Sequence, residues 1–286
     1  MKLCVVMVLA LMFTACHKEN AGANNQLETD EGIYTTYHVY PSTAVVIHDA
    51  VTDIDGNHYD AVQIGNQVWM AENLRVTHYP DGSCMDYWGY LAPNNDQNNV
   101  STYGYLYNWD VANQFWYWTH DEDGYPITGG DICPSGWHLP SNEEWEELIT
   151  TLKDNSQYHC GNCQECIGKA LATTTGWRIW NQQTCAIGNN QSVNNYTGFS
   201  APPAGSFYGN IQYDESGNII IDDRYDMNFG ESATFWTSDP GLNENSYDSQ
   251  TYTYHRTGYK LWCGYTELRR CKDHYEEYHS VRCVRD

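Results

Sequence analysis

The cysteines are the feature that most limits the folds open to this chain. It has 11 cysteines in 286 residues, of which Cys4 and Cys16 lie near the amino terminus. In an oxidising compartment, the other nine predict a framework of disulfides. Because nine is odd, we expect at least one thiol to be free, modified or paired between chains. The nine are Cys84, Cys133, Cys160, Cys163, Cys166, Cys185, Cys263, Cys271 and Cys283.

The amino terminus has the pattern of an export signal. Lys2 precedes an apolar run from Leu3 to Phe13, which is too short to span a bilayer as a helix. The run ends in FTAC, which resembles the lipobox of bacterial lipoproteins and implies cleavage before Cys16 and acylation of its thiol. We therefore expect residues 1–15 to be a signal peptide and Cys16 to anchor the protein in outer-membrane lipid. The alternative is an ordinary cleaved signal.

Composition divides the rest of the chain into two segments and argues against one class of partner. Residues 16–43 are polar and predict a flexible tether, and residues 44–286 predict one domain. The formal charge of −23 argues against nucleic acid as a partner, because phosphate binding needs clustered lysine and arginine. The 11 tryptophans and 24 tyrosines favour a surface that binds ligands, since both side chains combine an apolar ring with a polar group.

The domain sequence predicts many short strands and few helices. Asp55-Gly56-Asn57 predicts a hairpin between residues 44–53 and 58–64, and Gly65-Asn66 predicts a turn before the next strand. Ser141 and Glu144 match a capping box, and a shorter helix is predicted over residues 167–172. The apolar stripe that follows the capping box, at i, i+3, i+4 and i+7, consists of Trp145, Leu148, Ile149 and Leu152.

Six motifs resemble a secreted bacterial family. They are IGNQVWMAENL (64–74), YGYLYNW (103–109), CPSGWHLPS (133–141), WEEL (145–148), TGFS (197–200) and SVRC (280–283). In this order they resemble the Fibrobacter succinogenes major paralogous domain family, from about residue 52 to residue 286. That family is itself similar to the C-type-lectin-like fold, by way of the sulfatase-modifying (formylglycine-generating) branch. The resemblance implies an α+β domain with short twisted antiparallel strands, one clear amphipathic helix and long disulfide-linked loops.

The resemblance also bears on the disulfides. Cys133 and Cys283 lie in family motifs, and a bridge between them would close a loop of about 150 residues. The segment CGNCQEC (160–166), with Cys185 beyond it, has spacings that suit either disulfides or thiolate ligands of a metal. We favour disulfides, because exported cysteines meet oxidants.

An oxidase is the enzymatic alternative. Formylglycine-generating enzymes bind copper through a closely spaced cysteine pair near the carboxyl end, and Cys263 and Cys271 are the nearest analogues here. Their spacing departs from the expected C-x4-C, so we favour a loop disulfide between them. The motifs by which C-type lectins bind calcium are absent, and an acidic segment from Asp53 to Asp60 lacks the Glu of a calcium loop, with Ile64 in its place. We therefore predict no catalytic residue, metal or cofactor.

An aromatic run is the candidate for ligand binding. Trp116, Tyr117 and Trp118 follow the YGYLYNW motif, and exposed aromatic rings stack on sugars and enrich binding surfaces. Inward packing on a strand is the alternative. We expect a non-catalytic recognition domain at the cell surface that binds an extracellular glycan or protein. A formylglycine-generating-like oxidase and a purely structural envelope protein are the competing hypotheses.

Overall fold

A computed structural model describes most of the predicted domain. The described residues are 44–85, 88–120, 126–128, 130–209, 211–213, 219–239, 255–274 and 276–286. The predicted signal peptide, the tether and the lipid attachment at Cys16 lie outside them. Within the described ranges, no helix is both long enough and apolar enough to cross a membrane.

The described residues form an α+β fold of short strands and short helices. The α-helices are α1 (Val100–Tyr103), α2 (Trp109–Ala112), α3 (Asn142–Asp154) and α4 (Gly168–Leu171). The strands are β1 (Val45–Thr52), β2 (His58–Ile64), β3 (Gln67–Met70), β4 (Tyr90–Leu91), β5 (Leu106–Asn108), β6 (Phe115–His120), β7 (Pro126–Thr128), β8 (Trp137–His138), β9 (Ser206–Tyr208), β10 (Ile211–Tyr213), β11 (Ile219–Asp222), β12 (Tyr225–Met227), β13 (Ser232–Trp236), β14 (His255–Trp262), β15 (Arg269–His274), β16 (Glu277–Ser280) and β17 (Val284–Arg285).

Two larger sheets organise these strands. The first has the order β1-β2-β3-β17-β8 and is antiparallel, so the last strand lies between two early ones. The second has the order β12-β9-β16-β13-β14-β15, with β5 beside β16 and β4 beside β5. Its pairs are antiparallel except β13 with β16. Two separate hairpins are formed by β6 with β7 and by β10 with β11.

The first predicted hairpin is present, and its turn explains the acidic segment. Gly56 has φ 83°, which only glycine adopts without strain, and β1 pairs with β2 on either side. One carboxylate oxygen of Asp53 accepts the backbone N–H groups of Asp55 and Asn57, and the other accepts the Tyr59 hydroxyl. The carboxylate of Asp53 therefore holds a turn together.

Helix α3 begins as the sequence predicts. The Ser141 hydroxyl accepts the Glu144 N–H at 3.3 Å, and the Glu144 carboxylate accepts the Ser141 N–H at 2.8 Å. The predicted apolar stripe is buried. Within it, the Trp145 ring stacks on Tyr259, with planes 17° apart and centroids 5.2 Å apart, and contacts Trp69 at 4.7 Å. The helix thereby joins both sheets in one core.

Substitution of Ser141 by alanine should lower the free energy of unfolding by about 1 kcal/mol, because the helix loses a side-chain cap. The measurement is urea unfolding followed by tryptophan fluorescence. Ser101→Ala, at an exposed serine of α1, is the matched control and should change the free energy by less than about 0.5 kcal/mol. Equal effects of the two substitutions would show that the cap does not stabilise the domain.

Three disulfides join described residues. Cys133 pairs with Cys283, which is the bridge favoured by the family motifs. In the CGNCQEC segment, Cys160 pairs with Cys185 and Cys163 pairs with Cys166. The sulfurs of this segment are thus in disulfides and do not serve as metal-binding thiolates.

Cys263 and Cys271 depart from the predicted loop disulfide, since both carry free thiols. The register of β14 with β15 places Cys271 opposite Gly258, and Cys263 lies five residues beyond Gly258 (263 − 258). At about 3.3 Å per residue, the two cysteines are about 16 Å apart along the ladder. A disulfide needs Cα atoms within about 7 Å. The separation also prevents these thiols from sharing one copper ion.

Candidate functional site

The candidate site lies on one face of the second sheet, where a glycine leaves space for two polar side chains. In the pairing of β14 with β15, Gly258 lies opposite Cys271, and Asp273 follows two residues later on the same face. A Cβ atom on Gly258 would lie 3.3 Å from the Asp273 carboxylate and 3.4 Å from the Cys271 sulfur. The absence of a side chain thus allows both groups to lie over the strand.

The turn from β15 to β16 brings a histidine and a second carboxylate to Asp273. Nε2 of His279 lies 3.1 Å from Asp273 Oδ2 and 3.5 Å from Glu277 Oε2. His279 and Asp273 are buried, and Glu277 is half-buried. The His279 ring packs on Trp236, with centroids 4.0 Å apart. We name Asp273, Glu277 and His279 the acid–histidine cluster.

The surroundings set the charges of two groups in this site. Burial by itself would raise the pKa of Asp273, but hydrogen bonds from His279 and Cys271, together with the charge of His279, outweigh it and lower the pKa to about 2. Burial raises the pKa of Cys271 well above its usual value, and the neighbouring Asp273 raises it further. At neutral pH the site therefore holds an ionised carboxylate and a protonated thiol, and a protonated thiol is a poor nucleophile.

Two tyrosines extend the same face toward the sheet edge. Tyr225 on β12 lies opposite Tyr208 on β9, and Tyr208 lies opposite Glu277 on β16. Residues directly opposite each other project from the same face, so the three side chains form a row across three strands. The tyrosine centroids are 5.9 Å apart, with planes at 68°, and Tyr225 is 55% exposed. We name Tyr208 and Tyr225 the tyrosine pair.

A buried arginine lies on the same sheet face, two residues along β14 from Gly258. Arg256 is opposite Asp273, and its guanidinium lies over the Trp109 ring at 4.1 Å and the Phe115 ring at 5.5 Å. It also approaches the Asp110 carboxylate at 3.9 Å. Burial raises the pKa of Asp110 to about 6, although the charge of Arg256 acts in the opposite direction. This contact connects the site to Phe115, the first residue of β6.

The aromatic run predicted to bind ligand lies on β6. The backbone of Trp116, Tyr117 and Trp118 belongs to that strand, which pairs with β7. Their side chains lie outside the part of the chain that the structure describes. The predicted contact of these rings with ligand therefore stays a prediction.

The acid–histidine cluster and the tyrosine pair were not predicted from the sequence. One signal for the cluster was present, because Asp273, Glu277 and His279 lie within seven residues of the chain (273 to 279) that include a turn. Glu277 and His279 also have the spacing of two residues that places side chains on one face of a strand. Nothing local connects these residues with Tyr208 or Tyr225, which reach them through sheet register alone.

The fold and this face together define an α+β domain with disulfide-linked loops, polar groups buried in one sheet and aromatic rings at its edge. The chain belongs to the Fibrobacter succinogenes major domain family, whose sequence profile matches residues 62–285. A search of the curated proteins found no match. A search of the solved structures found none either.

Proposed function

We propose that this protein is a lipoprotein of the outer membrane, exposed at the cell surface, whose domain recognises an extracellular glycan without chemically changing it. The observation that carries the proposal is the row of Tyr225, Tyr208 and Glu277 on one sheet face. It places two tyrosine rings, of which that of Tyr225 is exposed, in one row with a carboxylate. Sugar recognition uses both kinds of group, one for the apolar face of the ring and one for its hydroxyls.

The charge of the protein narrows the glycan class. A formal charge of −23 repels anionic polymers over distances of about a Debye length. Sulfated and uronic-acid glycans would also meet the Glu277 carboxylate at the site. A neutral glycan avoids both costs, and its hydroxyls can donate hydrogen bonds to this carboxylate.

The membrane anchor and the finer fold are part of the proposal. The FTAC segment supports acylation of Cys16, which would attach the domain to outer-membrane lipid through a tether. The C-type-lectin-like fold and the link to the sulfatase-modifying branch rest on the GWHLPS segment (136–141) and the helix after it. The order of β8, Ser141 as the cap and then α3 supports that comparison.

Tyr225→Ala should weaken binding of a neutral glycan by about 2- to 12-fold, because stacking on an aromatic ring contributes about 0.5–1.5 kcal/mol. The full chain in detergent is first screened against neutral glycans, anionic glycans and extracellular-matrix proteins. The affinity of each hit is then measured for wild type and variant. Tyr196→Ala, at a tyrosine that is 36% exposed and lies outside the sheets, is the control and should bind as wild type does.

Three outcomes would contradict the proposal. Saturable binding to a matrix protein alone would replace the glycan with a protein ligand. Tight binding that Tyr225→Ala leaves unchanged would move the contact away from the tyrosine pair. Binding to none of the probes would leave a structural role for the domain.

A further inference from the structure

We propose that Asp273, Glu277 and His279 bind one divalent metal ion, and that zinc is the ion their donor atoms fit best. One ligand atom from each residue can be chosen so that all three lie within 4.8 Å of one another. The proposal concerns the acid–histidine cluster alone and goes beyond glycan recognition. Its experiment uses no glycan, so the two proposals can fail separately.

The distances within the cluster match a tetrahedral zinc site. Zinc binds histidine nitrogen and carboxylate oxygen at about 2.0–2.2 Å, so two ligand atoms on a tetrahedron around it lie about 3.3–3.6 Å apart. Nε2 of His279 lies 3.1 Å from Asp273 Oδ2 and 3.5 Å from Glu277 Oε2. Two of the three distances between ligand atoms are therefore close to those of a tetrahedral zinc site.

The types of donor select among metals. Calcium and magnesium take oxygen ligands, so a histidine at the centre of the cluster disfavours both. One imidazole with two carboxylates suits zinc and other first-row transition metals. Zinc sites with three protein ligands leave a fourth position for water or a bound molecule. Glu277, whose side chain is 15% exposed, is the ligand nearest to solvent.

The burial of His279 is a second, independent observation. The side chain has 0% exposure, so solvent does not reach its ring nitrogens. Nε2 faces two carboxylate oxygens, and a single proton on that nitrogen can make only one well-directed hydrogen bond. A metal ion would instead contact the nitrogen and both oxygens at once. Three donor atoms converging on one buried point are what a metal site requires.

Neighbouring groups orient both carboxylates toward that point. The backbone N–H of His274 donates to Glu277 Oε1 at 3.1 Å, which leaves Oε2 to face His279. The Cys271 thiol donates to Asp273 Oδ2 at 2.8 Å, and Gly258 leaves the space around this oxygen open. Metal sites use such second contacts to fix the orientation of their ligands.

Isothermal titration of the metal-free full chain with zinc chloride tests the proposal. The chain is purified in detergent, stripped with EDTA and titrated separately with zinc and calcium. We expect saturable binding of one zinc ion per chain and much weaker binding of calcium. Glu277→Gln keeps the shape of the side chain and should weaken zinc binding by at least about tenfold, the lower end of the loss seen when even an outer contact of a metal site is removed.

Two further variants make the test specific. Glu276→Gln removes the adjacent acid, which is not one of the three ligands, and should bind zinc as wild type does. Cys271→Ser keeps a donor beside Asp273 Oδ2, so a loss of zinc binding beyond about tenfold would mean that zinc binds to the sulfur and would overturn the assignment. The proposal also fails if the stripped protein binds no zinc. It fails likewise if Glu277→Gln binds as tightly as wild type while thermal unfolding shows both proteins folded.

Discussion

Substitution of Arg282 by methionine should lower the free energy of unfolding by about 3–5 kcal/mol, because each buried acceptor that loses its donor costs about 1–3 kcal/mol. Arg282 is fully buried. Its guanidinium donates to the Asn73 side chain and to the backbone carbonyls of Met70 and Phe199, and lies over the Phe199 ring at 4.4 Å. It thus connects three segments that are distant in sequence. Methionine would fill much of the volume and leave these oxygens without donors.

Urea unfolding of the variants measures this contribution. Arg285→Met, three positions later at an exposed residue of β17, is the matched control and should change the free energy by less than about 0.5 kcal/mol. Arg282→Lys keeps the charge but cannot reproduce the planar set of donors, so we expect an intermediate loss and a folded protein. If Arg282→Met and Arg285→Met unfold at the same urea concentration, the buried hydrogen bonds do not stabilise the domain.

The parts of the fold that follow from neighbouring residues could be predicted. The capping box at Ser141 and the apolar stripe from Trp145 to Leu152 lie within one helix, and both are present in α3. The turn at Gly56 likewise depends on five consecutive residues and their hydrogen bonds. In each case, local geometry restricts the backbone before distant contacts form.

The pairing of cysteines could be predicted only where a second signal was present besides their distance along the sequence. Cys133 and Cys283 lie in motifs of one family, and the structure joins them. Cys263 and Cys271 are close in sequence, but the register of β14 with β15 holds them apart. Sequence distance does not reveal register, because an antiparallel hairpin brings together residues that are symmetric about its turn and separates those that are not.

The candidate site was missed for the same reason. Tyr208 and Glu277 are 69 residues apart in sequence (277 − 208) and meet only because β9 pairs with β16. Among the 24 tyrosines, the sequence has no feature that distinguishes Tyr208 and Tyr225 from the others. By contrast, the aromatic run at residues 116–118 was conspicuous because it is consecutive.

Removal of the Cys133–Cys283 disulfide should cost more stability than removal of either other bridge. In the chain-entropy model, a cross-link over 150 residues contributes about 5 kcal/mol, one over 25 about 3.5 kcal/mol and one over 3 about 1.6 kcal/mol. These separations belong to Cys133–Cys283, Cys160–Cys185 and Cys163–Cys166 respectively. Paired alanine substitutions, unfolded in urea without reductant, should therefore lose stability in that order.

The position of Cys283 in the folded protein should further raise the stability lost when the Cys133–Cys283 disulfide is removed. Cys283 is fully buried and directly precedes β17, the strand inserted between β3 and β8 in the first sheet. Without the disulfide, β17 and its flanking residues would be held by the ladder pairs of Val284 and Arg285, by a few further backbone hydrogen bonds and by the side chain of Arg282. The double variant Cys133→Ala with Arg282→Lys should consequently lose more stability than the sum of the separate changes, because both hold the same short segment. Strictly additive losses would mean that the disulfide stabilises the domain only by restricting the unfolded chain.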